Sequence, residues 1–461
     1  MVKSNRQAKF LELRLEFPFF AFEKQEYSLS KAGLHVQYTF NLSDRYYFKP
    51  SFFIPRKSCF LPDASIAGKL DNILFNIGMI ELISYWKVTC SPTVILYPFA
   101  ISPEQVAWWK KLYFHGLGEF FYLNSITEKE ESFMQVKMAS GKLPPVAGFL
   151  LSDGVIIPVG GGKDSSVTLE ILGPQRDCIP LIMNPRGASL ETIFAGGYRR
   201  DECFEIIRTL DPLLLKLNEE GFLNGHTPFS ALLAFYTTLA SIMTSRRHVA
   251  LSNESSANEA TIEGTTINHQ YSKSLVFEGD YRKYVNESIA PGINYFSFLR
   301  PLNELQIASL FSGFTAYHKV FRSCNVGSKT DSWCGRCAKC LFTYIILSPF
   351  LTQEKLIAIF GKNLLDANDP EMKLYFDQLA GIAHEKPFDC VGTINEVNLA
   401  LCEILRRHGQ EELPALLAWY RSSSQYDQYR DLDFRDALSQ IGRDHFLLPE
   451  FMILLSDVRN A

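Results

Sequence analysis

The stretch VIIPV (155–159), followed by Gly160-Gly161-Gly162-Lys163-Asp164-Ser165-Ser166, restricts this chain more than any other. An apolar run without alternation suits a strand covered on both faces, the usual condition in a parallel sheet flanked by helices. The glycines permit a tight turn and a close backbone approach. SSVTLEILG (165–173) then starts a helix that Gly173-Pro174 ends. CIPLIMN (178–184) reads as the next strand, and FSALLAFYTTLASIMTS (229–245) as a helix leading into strand HVALSN (248–253). This βαβ rhythm predicts a parallel sheet whose strand carboxyl ends hold the chemistry.

The flanks read differently. Residues 1–150 are rich in aromatics, and LELRLEF (11–17) and LHVQYTFNL (34–42) alternate as strands do. Helices are expected over 66–85 and, after the cap-like Ser102-Pro103, over 103–113, with a further strand in VTCSPTVILYPF (88–99). Residues 351–461 read as mostly helical, TINEVNLALCEILRRHG (393–409) being the clearest amphipathic segment, while RSSSQYDQYRD (421–431) reads as a mobile surface link. The expected organisation is an N-terminal α/β or α+β domain (1–150), an α/β nucleotide-binding catalytic domain (151–350) and a helical C-terminal region (351–461).

Composition narrows the function classes. A net charge of −4 over 461 residues leaves no broad basic face for nucleic acid. The start, MVKSNRQAKFLELRLEF, has no apolar targeting core, and the runs LLAFYTTLASIM (232–243) and CLFTYIILSPF (340–350) are too short to span a membrane. Ten cysteines in a chain of this length are no disulfide framework, and Cys324, Cys334, Cys337 and Cys340 crowd together. The expectation is a cytoplasmic protein without membrane or nucleic-acid partners; its oligomeric state is not readable.

The glycine loop has rivals to eliminate. A γ-phosphate loop needs a hydroxyl directly after its lysine to hold magnesium, but Asp164 follows Lys163. A dinucleotide fingerprint would need glycine where Ser165 stands. A bare turn leaves the order Gly-Gly-Lys-Asp-Ser-Ser unexplained. Gly161-Gly162-Lys163-Asp164-Ser165 resembles the SGGxDS loop of the PP-loop ATP pyrophosphatases, with their adenine nucleotide alpha hydrolase-like fold. Backbone N–H groups, Ser165 and Ser166 would then face phosphate at a helix start. The resemblance implies cleavage of ATP between its α and β phosphates, with adenylation of a substrate. Gly160 replaces the family's first serine, and Lys163 faces either phosphate or solvent. Asn184, closing CIPLIM, is a candidate on the nucleotide side.

Four further segments narrow the resemblance: NGHTPFS (224–230), LSNESSANEATIEG (251–264), NHQYSKSLVFE (268–278) and FDCVGTINE (388–396). Together they resemble the MurL family, the UDP-N-acetyl-α-D-muramoyl-L-alanyl-L-glutamate epimerases of peptidoglycan synthesis, over about residues 150–400. The resemblance implies adenylation of the terminal L-glutamate of a UDP-muramoyl dipeptide, exchange of its α proton, and hydrolysis to the D-glutamate product, AMP and pyrophosphate. Adenylation removes the carboxylate charge that otherwise opposes α deprotonation, and the peptide-bound amine rules out a Schiff base.

Candidate groups follow. Asp164, Glu254 and Glu259 are candidates to hold Mg²⁺ against ATP, and Asn253 and Asn258 to orient substrate or water. His226, His269, Cys390 and Lys273 are candidates for proton transfer, beside Asp164 in the loop. Arg199, Arg200, Arg208, Lys273, Arg282 and Lys283 could form a basic patch for diphosphate. Cys324, Cys334, Cys337 and Cys340 have the spacing of a structural four-thiolate Zn²⁺ site. That cluster also resembles the zinc knuckle of the deazaguanine-synthase branch, so an amide-, nitrile- or thiol-transferring enzyme acting on a nucleobase or tRNA is the alternative.

Overall fold

In the computed structural model, described for residues 4–56, 68–259, 268–409 and 412–460, VIIPV lies in the middle strand of the parallel half of a mixed sheet. The strands are β1 (Phe19–Leu29), β2 (Gly33–Leu42), β3 (Tyr46–Phe48), β4 (Ser51–Pro55), β5 (Thr93–Leu96), β6 (Gln135–Met138), β7 (Ser152–Pro158), β8 (Cys178–Met183), β9 (Phe204–Thr209), β10 (Arg246–Leu251) and β11 (Asn294–Ser297). They run in the order β11-β10-β7-β8-β9-β4-β2-β1-β5-β6, with β3 on β2. From β11 to β9 every pairing is parallel, as expected. β9 then meets β4 antiparallel, and the antiparallel β4-β2-β1 group gives way to parallel β1-β5-β6. Strands from residues 19–55 and 152–297 therefore share one sheet.

Lack of alternation in β7 has the expected cause. Val155, Ile157 and Val159 pack into the core formed with the helices Lys163–Leu172, Glu304–Gly313 and Ala338–Leu347. Ile156 points the other way, into the core shared with Asp71–Trp86 and Phe229–Thr244. Each of these four strand residues is at most 4% exposed, so both faces are covered.

Two local expectations are corrected. LELRLEF lies mostly in the helix Gln7–Glu16, because the residues that bury are Phe10, Leu13 and Phe17, at helical spacing, while Leu11 and Leu15 face solvent. The stretch expected as a mobile link carries the helix Ser424–Tyr429. Ser423 Oγ caps it by accepting from Tyr426 N, and Tyr426 packs its ring on the buried Tyr420. The helices Asp71–Trp86, Pro103–Gly116 and Ile394–His408 agree with the sequence, the second with Ser102 and Gln105 in a capping box. Residues 66–67 of the first expected helix lie outside the described residues. After residue 351 the described elements are helical, and no described helix is long and apolar enough to cross a membrane.

The parallel half positions the site. The order in which strands are added reverses at β7, since β8 and β9 follow it on one side while β10 and β11 lie on the other, all parallel. Loops leaving the carboxyl ends of such neighbours diverge and open a crevice. Here those loops are residues 159–162 and 252–259.

Candidate active site at the carboxyl ends of the parallel strands

The loop after β7 is shaped by its glycines. Gly161 has φ +87°, and a Cβ there would stand 2.8 Å from the Ala188 carbonyl carbon, so only glycine fits. Gly160 has open space where a Cβ would project. A serine there would be accommodated, and its absence is not forced by packing. Arg322 N–H donates to Gly161 O (2.7 Å), and Ser323 Oγ stands against Gly162, 2.7 Å from where its Cβ would be.

The polar residues of the loop turn mostly inward. Ser165 and Ser166 hydroxyls donate to Gly162 O, both at 3.0 Å, which holds the first helical turn. Lys163 is 3% exposed and bonds both Asp164 and Glu304, so it faces neither solvent nor an open phosphate cradle. Burial opposes its charge, but the two carboxylates outweigh that and hold its pKa above the ordinary lysine value. Glu304 begins the helix Glu304–Gly313, and its N–H donates to Glu396 Oε1 (2.8 Å). Burial, with Asp164, Glu254 and Glu396 nearby, raises Glu304 above the ordinary carboxylate value against the pull of Lys163.

Glu254, on the loop after β10, is buried; its Oε1 accepts from Ser256 Oγ (3.1 Å) and its carbonyl from Arg300 Nη1 (2.6 Å). Glu259 pairs instead with Lys386, and among the described residues Asp164, Glu254 and Glu259 do not come together as one group of ligand atoms. Asn253 bonds Ser297 Oγ (3.0 Å), and Asn258 accepts from Leu275 N (2.8 Å). Asn184 adopts φ +49° and its Oδ1 accepts from Arg208 N–H (2.7 Å), joining β8 to β9. At the next helix start, Gly187 and Ala188 donate to the carboxylate of Asp331 (3.1 and 2.9 Å).

The proton-transfer candidates gather. Cys390 Sγ lies 3.1 Å from Lys273 Nζ and hydrogen-bonds the His269 ring, and Lys339 Nζ bonds the Cys390 carbonyl. His269 Nδ1 lies 2.5 Å from Glu119 Oε2, and His226 Nδ1 lies 3.6 Å from the same oxygen, with the two imidazole centres 4.5 Å apart. Burial works against a Cys390 thiolate, but Lys273, His269 and Lys339 outweigh it and draw the thiol down to about 6. Burial likewise opposes charge on His269, yet Cys390 and Glu119 raise it to about 9. Burial and the His269 charge push His226 down to about 4. Near neutrality the cluster therefore holds one thiolate, one imidazolium and one neutral imidazole, three different proton states set by environment. Lys273 also feels the charges of Glu254 and Asp164, which joins this cluster to the glycine loop.

Cys324, Cys334, Cys337 and Cys340 meet as their spacing predicted. The separations Cys324–Cys337, Cys334–Cys340 and Cys337–Cys340 are 3.8, 3.7 and 3.5 Å. Four sulfurs held tetrahedrally at about 2.3 Å from one zinc would stand about 3.8 Å apart. Gly327 N–H donates to Cys324 Sγ (3.1 Å), and Gly335 turns the chain at φ +64°. The cluster suggests a structural metal site. Its loop bonds the glycine loop through Arg322 on Gly161, the next helix start through Asp331 on Gly187, and the residue before Cys390 through Asn325 Nδ2 on Asp389 Oδ1 (2.7 Å).

The expected basic patch is not assembled. Arg199 pairs with Asp201 and Glu202, Arg200 with Glu205, Arg208 with buried Glu81, and Arg282 bonds Asn294 Oδ1 and the Tyr295 carbonyl. Of that group Lys273 alone stands beside Cys390, while Lys283 lines a separate groove with Trp108 and Tyr284. Glu119, Arg300, Glu304, Lys339 and Glu396 were not singled out: Lys339 lies within the cysteine motif and Glu396 closes FDCVGTINE, but how each of the five reaches the site is set by the fold and not by its own segment.

The MurL N-terminal domain family matches residues 12–298, and the MurL C-terminal domain family matches residues 320–432. The chain is 33% identical over 366 residues to the UDP-N-acetyl-alpha-D-muramoyl-L-alanyl-L-glutamate epimerase of Salinispora tropica, covering 77% of this chain and 78% of that one. It is 34% identical over 350 residues to the protein of the same name from Xanthomonas oryzae pv. oryzae, covering 74% and 76%. No solved structure matches. Two family matches that span most of the sheet and the cysteine cluster, with relatives of one name at this identity, place the chain in the MurL family.

Proposed function

We propose that this chain inverts the terminal L-glutamate of UDP-MurNAc-L-Ala-L-Glu in cytoplasmic peptidoglycan precursor synthesis, using ATP to adenylate the glutamate α-carboxylate. The observation that carries this reading is the junction at Lys273. Its ammonium feels the charges of Glu254, on the loop after β10, and of Asp164, after the glycine loop, and it stands 3.1 Å from the Cys390 sulfur. Activation and proton exchange then act on one carboxyl group without the substrate leaving.

Residues 160–166 are the PP-loop in this reading. Open space at Gly160 and the left-handed Gly161 leave the backbone accessible to phosphate oxygens, which fits an ATP-binding loop. Asp164 and Glu254 would hold Mg²⁺, which when bound neutralises charge on the triphosphate. Lys163, kept cationic by Asp164 and Glu304, fixes the positions of those carboxylates from behind. The four cysteines would hold one structural Zn²⁺, with no position left open for catalysis.

Adenylation turns a charged carboxylate into a neutral, electron-withdrawing acyl group, so the α C–H becomes acidic. His226, held neutral, can accept that proton, and the Cys390 thiolate stands in the same cluster. The cations of Lys273 and His269 would oppose the negative charge that develops on the enolate. Hydrolysis of the activated acyl group closes the reaction, with the D-glutamate product, AMP and pyrophosphate as the products.

The test is phosphorus analysis of products formed from Mg-ATP with and without the UDP-muramoyl dipeptide. AMP and pyrophosphate should appear only with the dipeptide, and Asp164→Asn should lower their rate by about 10²-fold or more, as expected when a group on the reacting phosphates is lost. ADP and inorganic phosphate as products would refute adenylation.

A further inference from the structure

Cys390, His269 and Glu119 stand in the order that activates a thiol nucleophile. The Cys390 sulfur hydrogen-bonds the His269 ring, and the Nδ1 of that ring lies 2.5 Å from Glu119 Oε2. Glu119 is 1% exposed, while Cys390 is half-buried and reachable. A nucleophile bonded to an imidazole, itself oriented by a buried carboxylate, is the arrangement of acyl-transferring active sites. The second Glu119 oxygen, Oε1, is buried without a hydrogen-bond partner and remains free to accept one from a bound molecule. Lys273 at 3.1 Å and Lys339 on the Cys390 carbonyl add positive charge beside the sulfur. Glu119, His226 and His269 also bring ligand atoms within 4.8 Å of one another; the hydrogen-bonded row is the arrangement that includes Cys390 as well.

We propose that Cys390, His269 and Glu119 form a nucleophilic triad that takes the activated glutamyl group from AMP as a thioester on Cys390. This rests on the adenylating reading above and assigns the fate of the adenylate. The thiolate sulfur attacks the glutamyl carbonyl carbon and forms a C–S bond. The bond from that carbon to the phosphate oxygen breaks, and AMP leaves with the electron pair. The α proton of the thioester is removed to the neutral His226 and returned, with no net change in protons. Water then attacks the carbonyl carbon and the C–S bond breaks, regenerating the glutamate carboxylate and the Cys390 thiolate. The two protons of that water pass to His226 and on to solvent.

The chemistry gives the detour a purpose. An acyl phosphate is lost quickly to water, whereas a thioester persists and still withdraws electrons, because sulfur overlaps poorly with the carbonyl. A longer-lived intermediate allows repeated loss and return of the α proton before hydrolysis, and inversion follows when the enolate turns over, or a solvent proton arrives on the face opposite His226, before reprotonation. Glu119 is a positioning residue here: it holds the His269 ring and its charge, and touches no reacting atom.

Wild-type protein mixed with Mg-ATP and the UDP-muramoyl dipeptide, then quenched in acid, is read by intact and peptide mass spectrometry. An adduct of one dehydrated substrate on the peptide carrying Cys390, removed by hydroxylamine, is expected. C390A should still release pyrophosphate but lose α-proton exchange by about 10³-fold or more. E119Q should slow adduct formation by about 10²- to 10⁴-fold and shift its pH profile, which a purely structural role would not do. If wild type releases AMP and inverts glutamate while C390A does the same, the triad is overturned and the adenylation reading stands. If C390A stops exchange but wild type never forms the adduct, Cys390 acts as a base and the covalent step is overturned. Wild type that releases no AMP overturns the adenylation reading and this proposal together.

Discussion

Replacing Lys273 by methionine removes the cation nearest the Cys390 sulfur while keeping an unbranched side chain of similar length. Nζ stands 3.1 Å from Sγ, and its charge is the largest influence favouring the thiolate against burial. The thiol sits at about 6 where 9.0 is ordinary, a difference worth about 4 kcal/mol at roughly 1.4 kcal/mol per unit. If Lys273 supplies about half of that, its loss costs the thiolate about 2 kcal/mol and raises the midpoint by about 1.5 units. At neutral pH the thiolate fraction then falls from about nine-tenths to about one-quarter. The sign follows from the direction of the shift: the thiolate is present above its pKa and is lost as pH falls through it, so the acid limb of reactivity moves to higher pH in K273M. The backbone carbonyl of Lys273, which accepts from Arg300, is untouched by the substitution. The assay is the iodoacetamide alkylation rate of the Cys390 peptide against pH, with K273R expected to keep most of the wild-type midpoint. An unchanged midpoint in K273M would refute the electrostatic account of Cys390.

Three further outcomes are expected. G161A forces a side chain into φ +87° and against the Ala188 backbone at 2.8 Å, so it should cost about 1–3 kcal/mol in urea unfolding and abolish pyrophosphate release. G160S meets open space and should leave unfolding within about 0.5 kcal/mol of wild type. Metal analysis should find near one zinc per chain, and C337S should lose it together with activity, since the cysteine loop bonds Gly161, Gly187 and Asp389; a metal-free, fully active protein would refute this.

The β7 strand and its loop were legible because a strand buried on both faces loses alternation, and a turn demanding φ +87° demands glycine. The cysteine cluster was legible because its ligands are close in sequence, and their spacing limits how they can meet. Cys390, His269, His226 and Lys273 were legible as separate candidates, but not as one row. Glu119, the residue that orders them, lies 150 positions before His269, and nothing in GLGEFFY distinguishes it from a surface acid. Glu304 was hidden for a similar reason: NELQ reads as a capping box, which it is, while its carboxylate also reaches Lys163. The helix Gln7–Glu16 was misread because LELRLEF fits period two over seven residues, and only the partners of Phe10, Leu13 and Phe17 reveal the longer period.

The central claim is that carboxylate activation and α-proton exchange occur on the same glutamate in one site. Purified protein incubated in D₂O with Mg-ATP and UDP-MurNAc-L-Ala-L-Glu tests both at once. The account predicts D-glutamate in the product carrying one deuterium at its α carbon, with AMP and pyrophosphate formed alongside. Inversion without AMP, or AMP release with the α hydrogen and L configuration retained, would contradict it.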